Sequence, residues 1–106
     1  MKEKGIYMKF EKQYIINTLV SNKSKINQLG ISKLGLFGSY VRNEQNEKSD
    51  IDIFVDFNPQ NETFENFMDL CFFLDDLFLG VKVEVVTKNG LSPIIGPKIL
   101  KEVEYV

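Results

Sequence analysis

The chain has 106 residues, 43% hydrophobic and 26% charged, with a formal net charge of −2. That size and composition suit a single soluble domain over residues 1–106 with one modest core, and the charge lacks the basic excess of a protein that grips long nucleic acid through its phosphates. With no histidine and one cysteine, Cys71, the chain has no imidazole base, no disulfide of its own and no cysteine zinc cluster, leaving carboxylates, lysine, tyrosine and metals for acid–base work.

The stretch Met1 to Phe10 is charged at Lys2, Glu3, Lys4 and Lys9 with no apolar run behind it, so no secretory signal is expected. No apolar stretch approaches the roughly 20 residues that span a bilayer. The expectation is a cytoplasmic protein with no membrane contact and no stable nucleic-acid binding. From Phe10 to Leu29, apolar residues at Phe10, Tyr14, Ile15, Leu19, Ile26 and Leu29 recur at helical spacing, with an interruption expected at Ser21–Ser24. Gly30 sits where a helix end wants it.

Leu34–Phe37 is an apolar run too short for a helix and reads as a strand. Ser39 to Arg42 is expected to open a short helix, and Asn43–Ser49 to form a polar loop. Ile51, Ile53 and Val55 alternate with Asp50, Asp52 and Phe54, the pattern of a half-buried strand. A helix is expected from about Thr63 to Leu79 with a stripe of Phe64, Phe67, Met68, Cys71, Leu74 and Phe78, stopped by Gly80. Val81–Val86 reads as a third strand, and Lys98–Glu102 as a short helix after Pro93 and Pro97. The order, α-β-(α)-β-α-β-α, is that of one α/β unit.

Asp50 and Asp52 lie at i and i+2 of a strand, so both carboxylates project to one face while Ile51 and Ile53 face the core. Two adjacent carboxylates repel unless a cation sits between them, and magnesium favours one or two carboxylates plus phosphate and water oxygens. Alone, an Asp-x-Asp alternation is equally the solvent face of a sheet. Gly38-Ser39 shifts that balance. It follows a strand, where backbone N–H groups and the Ser39 hydroxyl can meet an anion, and only ten residues separate it from Asp50.

Glu84 has the parity to join the pair if its strand neighbours theirs, and two-metal nucleotidyl transfer uses such a third carboxylate. Arg42, one turn beyond Ser39, could touch phosphate or pair with an acidic neighbour. Lys82 and Lys88 read as surface charges and Cys71 as a small core residue. Tyr40 reads as packing, with substrate contact an option.

Phe37-Gly38-Ser39-Tyr40-Val41-Arg42 followed by Ser49-Asp50-Ile51-Asp52-Ile53 closely resembles the signature of the minimal nucleotidyltransferases, within the DNA polymerase β-like nucleotidyltransferase superfamily. The tail Leu91–Leu100 is similar to that family's C-terminal segment. The resemblance implies an α/β (α+β) fold, a small mixed sheet of three or more strands flanked by helices. It implies that Gly38 and Ser39 serve the nucleotide, where Arg42 is a further candidate from its place in the turn, and that Asp50, Asp52 and Glu84 serve catalysis and two Mg2+ ions. It also implies ATP as substrate, and an antitoxin that transfers AMP to a tyrosine of a partner HEPN-domain ribonuclease toxin.

The chain departs from the family pattern at two positions. Glu84 stands where Asp is usual, moving the carboxylate by about 1.5 Å, and catalytic geometry is sensitive to about 1 Å. Gly96 stands where relatives often carry a basic residue. The alternatives are an antitoxin that neutralises by binding with a weak or dead site, and nucleotidyl transfer to a small molecule, which the lack of a second domain disfavours. A homodimer, or a hetero-oligomer with the toxin, would close the cleft.

Overall fold

The computed structural model describes residues 10–106, and the charged stretch before them lies outside the described residues. The first helical segment is broken where expected, into α1 (Lys12–Ser21) and α2 (Lys23–Gln28). Asn22 closes α1, its backbone N–H reaching the carbonyls of Thr18 and Leu19, both at 3.2 Å. The strands are β1 (Ile31–Phe37), β2 (Ile51–Phe57), β3 (Val83–Thr87) and β4 (Glu104–Tyr105), with α3 (Phe64–Leu77) between β2 and β3, and α4 (Gly96–Glu102) between β3 and β4.

These strands form one sheet in the order β3-β2-β1-β4. β1 runs antiparallel to β2 and β4, whereas β2 and β3 are parallel. The sheet is mixed, as the resemblance implied. One face carries the core, where Ile15, Leu19 and Ile26 from α1 and α2 meet Leu34, Leu36, Ile51, Ile53 and Val55 of the strands and Leu70, Leu74 and Phe78 of the α3 segment. Each of these is nearly or fully buried, and burying a side chain of this size contributes about 1.5–3 kcal/mol.

Four expectations are corrected. Ser39–Arg42 does not start a helix; it is a single turn. Asn43 adopts a left-handed φ of 59°, its N–H bonds the Tyr40 carbonyl, and the Glu44 N–H bonds the Ser39 carbonyl at 2.9 Å. That is the hydrogen-bond pattern of a helix C-terminus, placed after one turn. The stripe of α3 is also displaced: Leu70 is buried while Phe64 is 78% exposed. Thr63 caps the helix by accepting the Asn66 N–H at 3.1 Å, which leaves Phe64 at the first position of the helix.

The strand boundaries shift as well. β1 begins three residues before Leu34, held by the Ser32 hydroxyl donating to the Asp56 carbonyl, while Asp50 lies just ahead of β2 and outside it. Finally, β4 had no counterpart in the sequence reading. It pairs with β1 at Gly35 and Leu36, and a Cβ on Gly35 would overlap a Val103 methyl. A glycine at that point in β1 lets the C-terminal segment lie against the sheet.

Candidate active site

The second face of the sheet holds the polar cluster, although it is less polar than strand alternation suggests. Phe54 shares that face with Asp52, yet it is 1% exposed because Tyr105 of β4 packs edge-on against it, ring centroids 6.1 Å apart. Phe37, paired in register with Asp52, is buried too. Asp52 therefore emerges between aromatic side chains.

Glu84 stands directly opposite Asp52 in the parallel register of β2 and β3, the placement its parity required. Its side chain is 49% exposed, with Lys82 Nζ 3.5 Å from Oε2. Asp50 lies one residue before β2, half-buried, close enough to Tyr40 that its charge, after burial, pushes the Tyr40 hydroxyl's pKa up. Tyr40 itself packs in the core. The Asp52 carboxyl is pushed up to about 6, first by burial, then by the charges of Glu84 and Asp50, and then by Glu102; Arg42 opposes them. Glu102, on α4, is a fourth carboxylate that the sequence reading left out.

Gly38 ties the turn to the acid pair. Its φ is +83°, a conformation glycine adopts without strain, and a Cβ there would collide with Asp52 Oδ2. The turn and Asp52 thus share one point of contact. Val41 and Arg42 both donate to the Gly38 carbonyl, so Ser39 and Tyr40 are at the start of the turn, where N–H groups have no acceptor within it.

Arg42 reaches the other way. It bonds Glu44 Oε1 at 2.9 Å and pairs with Glu102 Oε2, linking the turn to α4, so the acidic-neighbour pairing considered for it is formed. Gly96 is buried at the start of α4 against Leu91. Cys71 is half-buried on α3, its thiol pushed up by burial and by Asp75.

Among the described residues, no three acidic, histidine or cysteine side chains converge into a ready-made ion cage. The donor set nevertheless fits a hard divalent cation that takes the rest of its ligands from phosphate and water. Burial first, and the charges of Glu84 and Asp50 second, push the Asp52 carboxyl up to about 6, and a cation there would relieve the repulsion.

Residues 15–106 match the nucleotidyltransferase domain family, and the chain belongs to it. A protein adenylyltransferase of Thermococcus cleftensis, MntA, is 39% identical over 93 residues, 87% of this chain and 92% of that protein. A solved structure provisionally assigned as a minimal nucleotidyltransferase superposes with a TM-score of 0.77 at 28% identity, covering 90% of this chain and 95% of the other. A toxin–antitoxin crystal structure with AMP-PNP shares the fold, with a TM-score of 0.61 at 24% identity over 91% of this chain and 72% of that one. The protein is a nucleotidyltransferase enzyme. No helix among the described residues is long and apolar enough to cross a membrane.

Proposed function

We propose that this protein is a magnesium-dependent adenylyltransferase that moves AMP from ATP to a hydroxyl, a tyrosine, of a partner HEPN-class toxin and so acts as its antitoxin. The observation that carries the reading is the convergence of Gly38 on Asp52 with Glu84 in register beside it. The identity to a protein adenylyltransferase and the fold shared with a chain of a toxin–antitoxin structure support the protein acceptor.

In this reading, Ser39 and the N–H groups at the start of the turn orient the β- and γ-phosphates. Asp50 and Asp52 would hold magnesium, with Glu84 completing a second position; the ions supply charge neutralisation at the reacting phosphate. The acceptor oxygen attacks the α-phosphorus in line, the bond from that phosphorus to the bridging oxygen of the β-phosphate breaks, and pyrophosphate leaves. Glu84, accessible at the edge of the cluster, takes the hydroxyl proton. Arg42 holds the turn to α4 and lies within reach of a phosphate once Glu102 releases it.

The test is incubation with magnesium, ATP labelled at the α-phosphate and the partner encoded beside this protein. Label should appear on the partner and vanish with Asp50→Ala/Asp52→Ala. Unlabelled partner that is still neutralised by that variant would replace this reading with one of neutralisation by binding.

A further inference from the structure

We propose that the groove between the Gly38–Asn43 turn and α4 is the docking site for an acidic, tyrosine-bearing segment of the acceptor protein. This rests on the protein-directed reading above and names the chemistry of the partner surface. The groove is open to solvent, measures about 590 Å³ and is lined by Arg42, Lys98, Lys101 and Glu102. That volume lies within the ordinary range of ligand-binding clefts.

Three cations line the groove, and with Glu44 and Glu102 both on Arg42 the two lysines give it a local basic character on a chain whose net charge is −2. Lys98 and Lys101 stand three residues apart on α4 and so share a face. Both are exposed, and neither is in an ion pair among the described residues. Arg42 is already shared between Glu44 and Glu102, so the two lysines are the charges open to a partner.

The same segment also exposes apolar side chains: Ile94 is 87% exposed, Ile95 55% and Leu100 39%. Large apolar residues beside unpaired cations fit a protein partner, which buries the former and neutralises the latter. A phosphate backbone would use the lysines and leave the isoleucines in water. One end of the groove lies beside the acid cluster, since Arg42, which lines it, belongs to the turn whose Gly38 abuts Asp52 Oδ2. A segment lying along α4 with its carboxylates on Lys98 and Lys101 would present a neighbouring hydroxyl at the Asp52 end.

The experiment measures binding directly, without catalysis. A random copolymer of glutamate and tyrosine, a lysine–tyrosine copolymer of the same length and AMP-PNP are each titrated against the wild-type protein and against Lys98→Glu/Lys101→Glu. Lys98→Gln/Lys101→Gln serves as a milder version, and Lys88→Glu, beyond the far end of β3, controls for net charge. The wild type should bind the acidic copolymer and not the basic one. The α4 variants should weaken that binding by about tenfold or more, a change of about 1.4 kcal/mol, with AMP-PNP affinity and the Lys88→Glu control unchanged.

Equal binding by the α4 variants, no binding by the wild type, or equal weakening by Lys88→Glu would overturn the proposal. Loss of AMP-PNP affinity in the α4 variants would overturn it too, assigning the lysines to the triphosphate. Tighter binding of a single-stranded oligonucleotide than of the acidic copolymer would assign the groove to nucleic acid. Failure of the wild type to label any protein is a separate result that strikes the adenylyltransferase reading.

Discussion

The two faces of β2 are built to opposite specifications. On the helix side, Ile51, Ile53 and Val55 are fully buried against α1, α2 and α3, and nothing there depends on charge. On the other side, Asp52 projects between Phe37 and Phe54, beside Glu84 and against Gly38. The first face supplies rigidity; the second gives some of it up, because half-buried like charges repel one another. The contrast teaches where a substitution should be felt. Changes on the helix side should move stability and leave the chemistry per folded molecule alone, whereas changes on the other side should move chemistry first.

The largest expected effect tests the helix side. Leu74→Ala removes a fully buried side chain from α3 and should lower unfolding free energy by about 2–5 kcal/mol. Urea titration measures this, and transfer rates normalised to folded protein should match the wild type. A matching loss of rate at low temperature, where the variant is folded, would mean the two faces are not separable.

Gly38→Ala is the counterpart on the site side. A left-handed non-glycine residue is destabilising by about 1–3 kcal/mol, less than the core substitution. The collision with Asp52 Oδ2 also displaces a carboxylate, and a shift of about 1 Å can lower a rate by about a hundredfold. The signature is therefore a rate loss larger than the stability loss. A variant that loses stability alone would remove Gly38 from the chemistry.

A smaller effect is expected at Glu84, which lies at the edge of the cluster, half-exposed and near Lys82. Glu84→Gln keeps the shape and removes the charge. If Glu84 takes the acceptor's proton, the transfer rate should fall by about tenfold or more while nucleotide affinity holds. Glu84→Asp restores the charge but draws the carboxylate back by about 1.5 Å, so it should recover the rate only in part. An unchanged rate in Glu84→Gln would leave Asp50 and Asp52 to act without it.

Legibility in the sequence followed the range over which each feature is determined. Gly38-Ser39 and Asp50-x-Asp52 could be read because a turn and a strand alternation are local; Glu84 had the right parity, but its place beside Asp52 needed the pairing of β2 with β3. The one-turn closure by Asn43 could not be read, since Asn tolerates many turn conformations and the left-handed one is chosen by the hydrogen bonds of Tyr40 and Ser39. Burial of Phe54 was hidden for a different reason: its cover, Tyr105, lies far along the chain in a two-residue strand, too short to leave a periodicity. Glu102 had no signal beyond a helix of seven residues. It reaches the site only because Gly35 lets the C-terminal segment approach β1.

The smallest effect is the one that most directly reads the difference between the faces. The Asp52 carboxyl has a pKa of about 6 in the folded chain against its ordinary 3.8, so between these values the folded protein keeps a proton that the unfolded chain has lost. Stability rises with pH only where the unfolded state binds more protons; here it binds fewer, so this group makes the protein less stable as pH climbs from about 4 to about 6, and the full penalty persists above. Asp52→Asn removes the titration. In metal-free buffer, its melting temperature should coincide with the wild type's near pH 4 and exceed it increasingly up to pH 6, then remain above it. Asp52 is only partly buried, so screening by water keeps the gap small. Millimolar magnesium should then raise the wild type and leave Asp52→Asn nearly unmoved, because a ligand stabilises only the folded form that binds it. A gap that is widest near pH 4, or one that magnesium does not narrow, would show that Asp52 sits on its face without the burial and charge crowding that raise its pKa.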